Sequence, residues 1–238
     1  MRFAIAPDGQ SVEQTGLKFD ISDFDGYALE VGLRLNEKHG PGEVVVLSVG
    51  ADSTQEIIRK ALSIGADRGI HLVAPQVPFD GLSIAHALAA ELREAGFDLI
   101  LFGRMATDTG NATVGPMTAE LLGLPCVTAV TALELAVAEG TGTATRELEG
   151  ATESLSFPLP AVLTIDEGIA RPRLPSLKGI MAAKKKPVES RPAALGPVRL
   201  TIDKLALPPE RAAGRIVGEG AEAVPELIRL LRDEAKVL

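Results

Sequence analysis

Apolar residues in the first two-thirds of the chain fall into two alternating kinds of segment. Glu43–Val49 and Asp98–Phe102 are short apolar runs typical of buried strands, whereas Leu82–Ala95 is an alanine- and leucine-rich stretch of helical length. Strands that alternate with such helices predict a parallel sheet with helices on both faces. The other predicted strands are Arg2–Ala6, Gly69–Val73 and Cys126–Thr131, and the other helices are Tyr27–Lys38, one opened by a capping box at Ser53 and Glu56, and Ala112–Leu122.

The pattern changes in the last third of the chain. Residues 131–165 hold threonine- and glutamate-rich runs around two glycines, which predict a small antiparallel extension of the sheet. Residues 171–209 are rich in proline and lysine, and a stretch of that length without regular structure usually serves a function or a partner. Val224–Ala235 predicts a final helix with Pro225 in its first turn.

Composition and charge exclude several classes of protein. The net charge of −8 and the aromatic content of 3% disfavour a nucleic-acid-binding protein. No run approaches the ~20 apolar residues of a membrane helix, and no signal peptide is readable. The single cysteine, Cys126, leaves no internal disulfide and no expected metal site, and it favours a cytoplasmic compartment. The three histidines, His39, His71 and His86, form no triad-like pattern, so we expect no catalytic residues.

The segment from Gly103 to Pro116 carries the strongest candidate chemistry. It follows a predicted strand at the carboxyl edge of the sheet, where open α/β sheets bind ligands. The free N–H groups of the next helix attract phosphate, and Arg104 adds positive charge. The composition fits a nucleotide site and an ordinary capped turn about equally well, and it is neither a GxGxxG nor a Walker loop. Two glycines allow a ligand to approach the backbone closely, Gly103 and Gly110. Four residues supply polar side chains, Thr107, Thr109, Asn111 and Thr113.

Three other segments share this edge of the sheet if the fold prediction holds. Ala4–Asp8 ends the first predicted strand, Ser22–Asp25 precedes the first helix, and Val49-Gly50 ends the second strand. Together with the loop they are placed to surround an adenosine. Asp23 and Asp25 serve equally well as helix caps.

Several motifs resemble those of electron-transfer flavoprotein β subunits. The resemblance covers nearly the whole chain, and its most specific part is the stretch from Pro172 to Lys186. The motifs are Asp23–Glu30, Gly65–His71, Arg146–Gly150, Pro158–Val162, Pro172–Lys186 and Pro208–Gly214.

The resemblance implies an electron carrier rather than an enzyme. Such proteins are αβ heterodimers with one FAD, held mostly by the α subunit, and the β subunit binds AMP as a structural ligand. They carry electrons from acyl-CoA and related dehydrogenases to a membrane quinone oxidoreductase. The resemblance thus implies an α/β nucleotide-binding domain over residues 1–165, a recognition loop and basic segment over 166–190, and an arm over 191–238 that contacts the α subunit.

Site residues are also implied by the resemblance. Phe24 falls where the family places an aromatic ring against the flavin, although it also suits a core position before a helix. Leu177 matches the anchor of the loop that docks dehydrogenases, and Lys184–Lys186 adjoin it. The implied cofactor contacts are Ala6, Ser22, Asp23, Phe24, Asp25, Val49, Gly103, Arg104, Met105, Ala106, Thr107, Asp108, Thr109, Gly110, Asn111, Ala112, Thr113 and Val114.

Some residues of the predicted nucleotide site depart from the family pattern. Met105, Gly110 and Thr113 replace the family's usual Gln, Asp and Gln, and Ser22-Asp23 replaces Asn-Pro. Backbone groups are therefore the expected AMP contacts.

Two alternatives remain open from the sequence. One alternative is a bifurcating-type β subunit, with a second FAD in place of AMP and a role in NADH chemistry. The other is a stand-alone adenine-nucleotide-binding regulatory module.

Overall fold

A computed structural model describes residues 3–40, 42–209 and 213–238. The chain divides into a larger unit, Gln14–Ile202, and a smaller unit made of Met1–Glu13 and Asp203–Leu238. The helices are α1 (Asp23–His39), α2 (Thr54–Ile64), α3 (Gly81–Leu92), α4 (Val114–Leu122), α5 (Leu177–Ala183) and α6 (Val224–Asp233). The strands are β1 (Val45–Gly50), β2 (Arg68–Val73), β3 (Leu99–Gly103), β4 (Cys126–Ala136), β5 (Thr141–Leu148), β6 (Ala151–Pro158), β7 (Ala161–Ile165) and β8 (Val188–Pro192).

The larger unit contains the predicted α/β architecture, with its strands in two sheets. One is wholly parallel in the order β1-β2-β8, and the other has the order β3-β7-β4-β5-β6. Strands β3, β7 and β4 run parallel, and β4, β5 and β6 form the predicted antiparallel extension. All five residues of β7 are buried, which is the pattern of a parallel strand covered on both faces.

The predicted first strand is wrong over its described residues. Ile5 makes only an isolated antiparallel bridge to Val12, and the segment joins neither sheet. A turn at Asp8 folds the segment back on itself, because the Asp8 carboxylate accepts hydrogen bonds from the amides of Gln10 and Ser11. The backbone of Ala6 then bonds to Ser11 instead of to a neighbouring strand. Among the described residues, strands β1 and β3 each pair with another strand on one side only.

The proline- and lysine-rich stretch is more regular than its composition suggests. It contains α5 and β8, and β8 extends the parallel sheet as an edge strand beside β2. Arg59 of α2 stabilises the turn between them by donating hydrogen bonds to the carbonyls of Ala183 and Lys186. The basic run is therefore not simply a solvated face.

Two other predictions are refined by the structure. Helix α2 begins at Thr54, but Ser53 has helical backbone angles and its side chain caps nothing, so the predicted capping box is not formed. Helix α6 forms at the predicted position in the smaller unit, without any buried residue. Across the described ranges, no helix combines the length and the apolar character needed to cross a membrane.

Candidate functional site

The loop between β3 and α4 is held at the carboxyl end of β3. The Arg104 amide donates a hydrogen bond of 2.8 Å to the Ile165 carbonyl at the end of β7. Farther on, the Gly110 amide bonds to the Ala106 carbonyl at 2.9 Å and closes a turn. Gly110 and Ala112 both have positive φ, at 64° and 53°. Residues 106–112 are all exposed, so the loop offers its hydroxyl and amide groups to solvent.

Helix α4 starts without a side-chain cap. Thr113 occupies the cap position, but its hydroxyl accepts no hydrogen bond from the first turn. Pro116 has no N–H group, which leaves the amides of Val114 and Gly115 as the free donors of this turn among the described residues. Free N–H groups at the positive end of a helix dipole form a favourable position for a phosphate.

The start of α1 packs directly against the loop. The Gly103 amide donates to Asp25 Oδ1 at 2.9 Å, and the Ser22 hydroxyl donates to the Met105 carbonyl at 3.2 Å. A Cβ atom at Gly103 would lie 2.6 Å from the Asp25 backbone nitrogen. From the sequence, we expected a glycine at position 103 because a bound ligand approaches the backbone there. The structure shows that the close contact with α1 already requires a residue without a side chain.

Asp25 has an unusual electrostatic position. The surrounding protein displaces water from its carboxyl group and raises its pKa, and the hydrogen bond from the Gly103 amide opposes this effect. The residue as a whole is nevertheless exposed to solvent. Asp23, two residues earlier, is exposed.

Arg104 does not present a free positive charge. Its guanidinium donates to Asp166 Oδ2 at 2.7 Å, and Asp166 is buried at the end of β7. Sequence reasoning missed Asp166, which stands 62 positions from its partner and in no motif. Because Asp166 neutralises Arg104, the free amides at the start of α4, rather than Arg104, are the groups that would attract an anion.

The remaining predicted cofactor residues take different positions. Val49 packs into the same apolar cluster as Val114, beneath the start of α4. Phe24 is half-buried in the first turn of α1, and its ring meets the edge of Tyr27 with the centroids 6.1 Å apart. Ala6 belongs to the smaller unit, where its amide donates to Ser11. The larger unit therefore brings together residues 22–25, 49 and 103–114.

The predicted docking residue is on the surface. Leu177 is 84% exposed at the first position of α5, and Ser176 caps this helix by accepting a hydrogen bond from the Gly179 amide at 3.0 Å. Lys184 and Lys185 are exposed. Lys186 differs from them, because its Nζ donates to three carbonyls at the end of α2, those of Leu62, Gly65 and Ala66.

Comparison with known proteins gives a consistent result. A family model described as the electron transfer flavoprotein domain matches residues 11–195. The electron transfer flavoprotein subunit beta of Bacillus subtilis is 38% identical over 239 residues, covering 95% of this chain and 91% of that protein. That of Syntrophomonas wolfei is 39% identical over 231 residues, covering 97% and 90%. The human subunit beta is 34% identical over 245 residues, covering 100% and 93%.

Proposed function

The chain belongs to the electron transfer flavoprotein family as a β subunit, and from this we propose that it forms a heterodimer with an α subunit and carries electrons through a shared FAD. Proteins of this kind transfer electrons and are not enzymes in the usual sense. In the heterodimer FAD supplies the redox chemistry and is held mostly by the α subunit.

AMP is the ligand that we propose for the β3–α4 loop. The observation that carries this proposal is the uncapped start of α4, where Gly115 packs against Phe102, the residue before Gly103. The amides of Val114 and Gly115 are available to hold the phosphate, and the exposed hydroxyls of Thr107 and Thr109 are available to the ribose. Arg104 takes no part in neutralising the phosphate because Asp166 already pairs with it.

Phe24 is proposed to lie against the flavin. Its ring is only half-buried, although it stands in the first turn of a helix whose other face is in the core. The edge contact with Tyr27 fixes the orientation of the ring. An aromatic ring held in this way would exclude water from one side of an isoalloxazine.

Dehydrogenases such as acyl-CoA dehydrogenases are proposed to dock at Leu177 and to deliver electrons that continue to a quinone oxidoreductase. An apolar side chain that is 84% exposed has little role in the fold of this chain. It gains most by entering an apolar pocket on a partner, as interface anchors do.

The test of this proposal is the nucleotide content of the purified heterodimer. The chain is coexpressed with the α subunit encoded in the same genome, and the released nucleotides are quantified by absorbance and mass spectrometry. We expect one FAD and one AMP. Two FAD and no AMP would replace the proposal with the bifurcating type, and a stable monomer that binds nucleotide without an α subunit would replace it with the regulatory module.

A single variant locates the AMP site. Thr113→Asp supplies the missing cap, so its carboxylate competes for the α4 amides and repels a phosphate. We expect an intact heterodimer with FAD and with little AMP. Thr152→Asp is the matched control, because Thr152 is exposed on strand β6, and this variant should retain AMP. Normal AMP content in Thr113→Asp would place the nucleotide elsewhere.

A further inference from the structure

Residues 171–173 lie along one face of α1. They lead into residues 174–183, which carry the proposed docking residue Leu177 and are called the docking segment below. Pro172 contacts the helix at Gly26, where a Cβ atom would lie 3.7 Å from Pro172 Cγ. Arg173 donates a hydrogen bond to Glu30, which lies one turn of α1 after Gly26. Its Nη1 also donates to Oε1 of Glu37, two turns farther along α1, at 2.5 Å. The spacing of these α1 residues, four and then seven positions, places them on one side of the helix.

Glu30 is a buried carboxylate with a full set of donors. It is 3% exposed. Its Oε2 accepts from the backbone amide of Arg173 at 3.1 Å and from Arg173 Nε at 2.9 Å. Its Oε1 accepts from Arg173 Nη2 at 3.1 Å and from Arg34 Nε at 2.7 Å. Because Glu30 binds the backbone as well as the side chain of Arg173, it fixes the path of the chain at this residue.

The other end of the docking segment is fixed by α5. Gly179 lies so close to α2 that a Cβ atom on it would be 2.3 Å from the Ser63 carbonyl oxygen. Ala183, at the end of α5, is 3% exposed in the same contact. The residues between these two attachments include Leu174 and Leu177, which are 90% and 84% exposed.

We propose that Glu30 and Arg173 are positioning residues for partner docking, which hold Leu174 and Leu177 together in an ordered arrangement for an apolar pocket on the electron-donating dehydrogenase. This inference rests on the proposed docking function and adds Leu174 to it as a second contact. A segment ordered before binding loses less conformational freedom on binding, and so the same apolar contact gives tighter docking.

The hydrogen bonds between Arg173 and Glu30, called the clamp below, lead to predictions that differ from those of a direct charge contact between Arg173 and the dehydrogenase. If the clamp acts by ordering the segment, breaking it from either side has the same effect. Arg173→Met, Glu30→Gln and the double variant should then show equal losses rather than additive ones. If Arg173 instead contacts the partner, Glu30→Gln should leave docking unchanged. Arg173→Lys keeps the charge but not the forked geometry, so the clamp predicts an intermediate loss.

The experiment uses the purified αβ heterodimer as electron acceptor for an acyl-CoA dehydrogenase from the same organism, reduced by its acyl-CoA substrate. We expect the KM for the heterodimer to rise about three- to tenfold in Arg173→Met and Glu30→Gln, with kcat unchanged. Hydrogen exchange of the amides of Arg173, Leu174 and Ser176 should increase in both variants. Arg171→Met is the control, because the Arg171 side chain makes no hydrogen bond within the described residues. Leu177→Ala is the docking reference.

Three results would overturn the inference. One is a normal KM in Arg173→Met and Glu30→Gln alongside a raised KM in Leu177→Ala, which leaves the docking function intact. Another is a raised KM in Arg173→Met alone, which points to a direct contact. A normal KM in Leu177→Ala removes the docking function and this inference with it. If Arg173→Met does not assemble, Arg173→Lys and Glu30→Gln provide the same comparison.

Discussion

Replacing Leu177 by alanine separates docking from folding. Fully burying a leucine side chain contributes about 1.5–3 kcal/mol. Leu177 is 84% exposed in this chain, so nearly all of that contribution remains to be gained from a partner. We therefore expect Leu177→Ala to weaken docking of the dehydrogenase by roughly tenfold to a hundredfold, since each ~1.4 kcal/mol is a factor of ten.

The same exposure predicts almost no effect on the fold. Surface substitutions of this kind usually change the free energy of unfolding by less than about 0.5 kcal/mol. The thermal melting temperature and flavin absorbance spectrum of the Leu177→Ala heterodimer should therefore match the wild type. A core leucine would behave differently, with a loss of about 2–5 kcal/mol.

The assay measures electron transfer from the dehydrogenase at varied heterodimer concentration, together with a thermal melt. Leu148→Ala is the control, because Leu148 is 49% exposed at the end of β5, far along the sequence from the docking segment. The reasoning is refuted if Leu177→Ala docks normally, or if its melting temperature falls as a core substitution would require.

Three further variants test individual contacts. Gly103→Ala should destabilise the protein by about 1–3 kcal/mol in a denaturant titration, because its Cβ would meet the Asp25 backbone at 2.6 Å. Lys186→Met should cost about 1.5–3 kcal/mol through the lost carbonyl contacts, while exposed Lys184→Met should cost almost nothing. Burial raises the pKa of Glu30, but hydrogen bonds from its arginine partners outweigh this and hold it below the usual 4.5. The stabilising effect of the ionised Glu30 is therefore present above pH ~4.5 and is lost on further acidification. In thermal melts at a series of pH values, the melting temperature of Glu30→Gln should fall less steeply below pH ~4.5 than that of the wild type.

Local pattern was sufficient for most of the sheet. The runs that become β1, β2 and β3 are largely apolar because helices pack on both faces of these strands, α2 and α3 on β1 and β2, and α1 and α4 on β3. Strand β8 was not predicted because it is an edge strand, mostly exposed and ending in Pro192. The first strand was predicted wrongly from its apolar residues, although Pro7-Asp8-Gly9 directly after it is a turn signal that favours a fold-back.

The candidate site was predictable only in part. The β3–α4 loop was recognised because its glycines, hydroxyls and following helix are adjacent in sequence. The pairing of Arg104 with Asp166 and of Arg173 with Glu30 was not, because the partners stand 62 and 143 positions apart. Charged side chains that meet across such distances leave no periodic signal in a single sequence.

The most direct test of electron carriage is anaerobic stopped-flow absorbance of the αβ heterodimer. Acyl-CoA dehydrogenase and its acyl-CoA are mixed with the heterodimer, and the flavin band near 450 nm is followed before and after a quinone oxidoreductase with quinone is added. The account predicts that the band bleaches only when the dehydrogenase is present and recovers when the oxidoreductase is added. A flavin that stays oxidised with the dehydrogenase, or that is reduced by acyl-CoA alone, would contradict it.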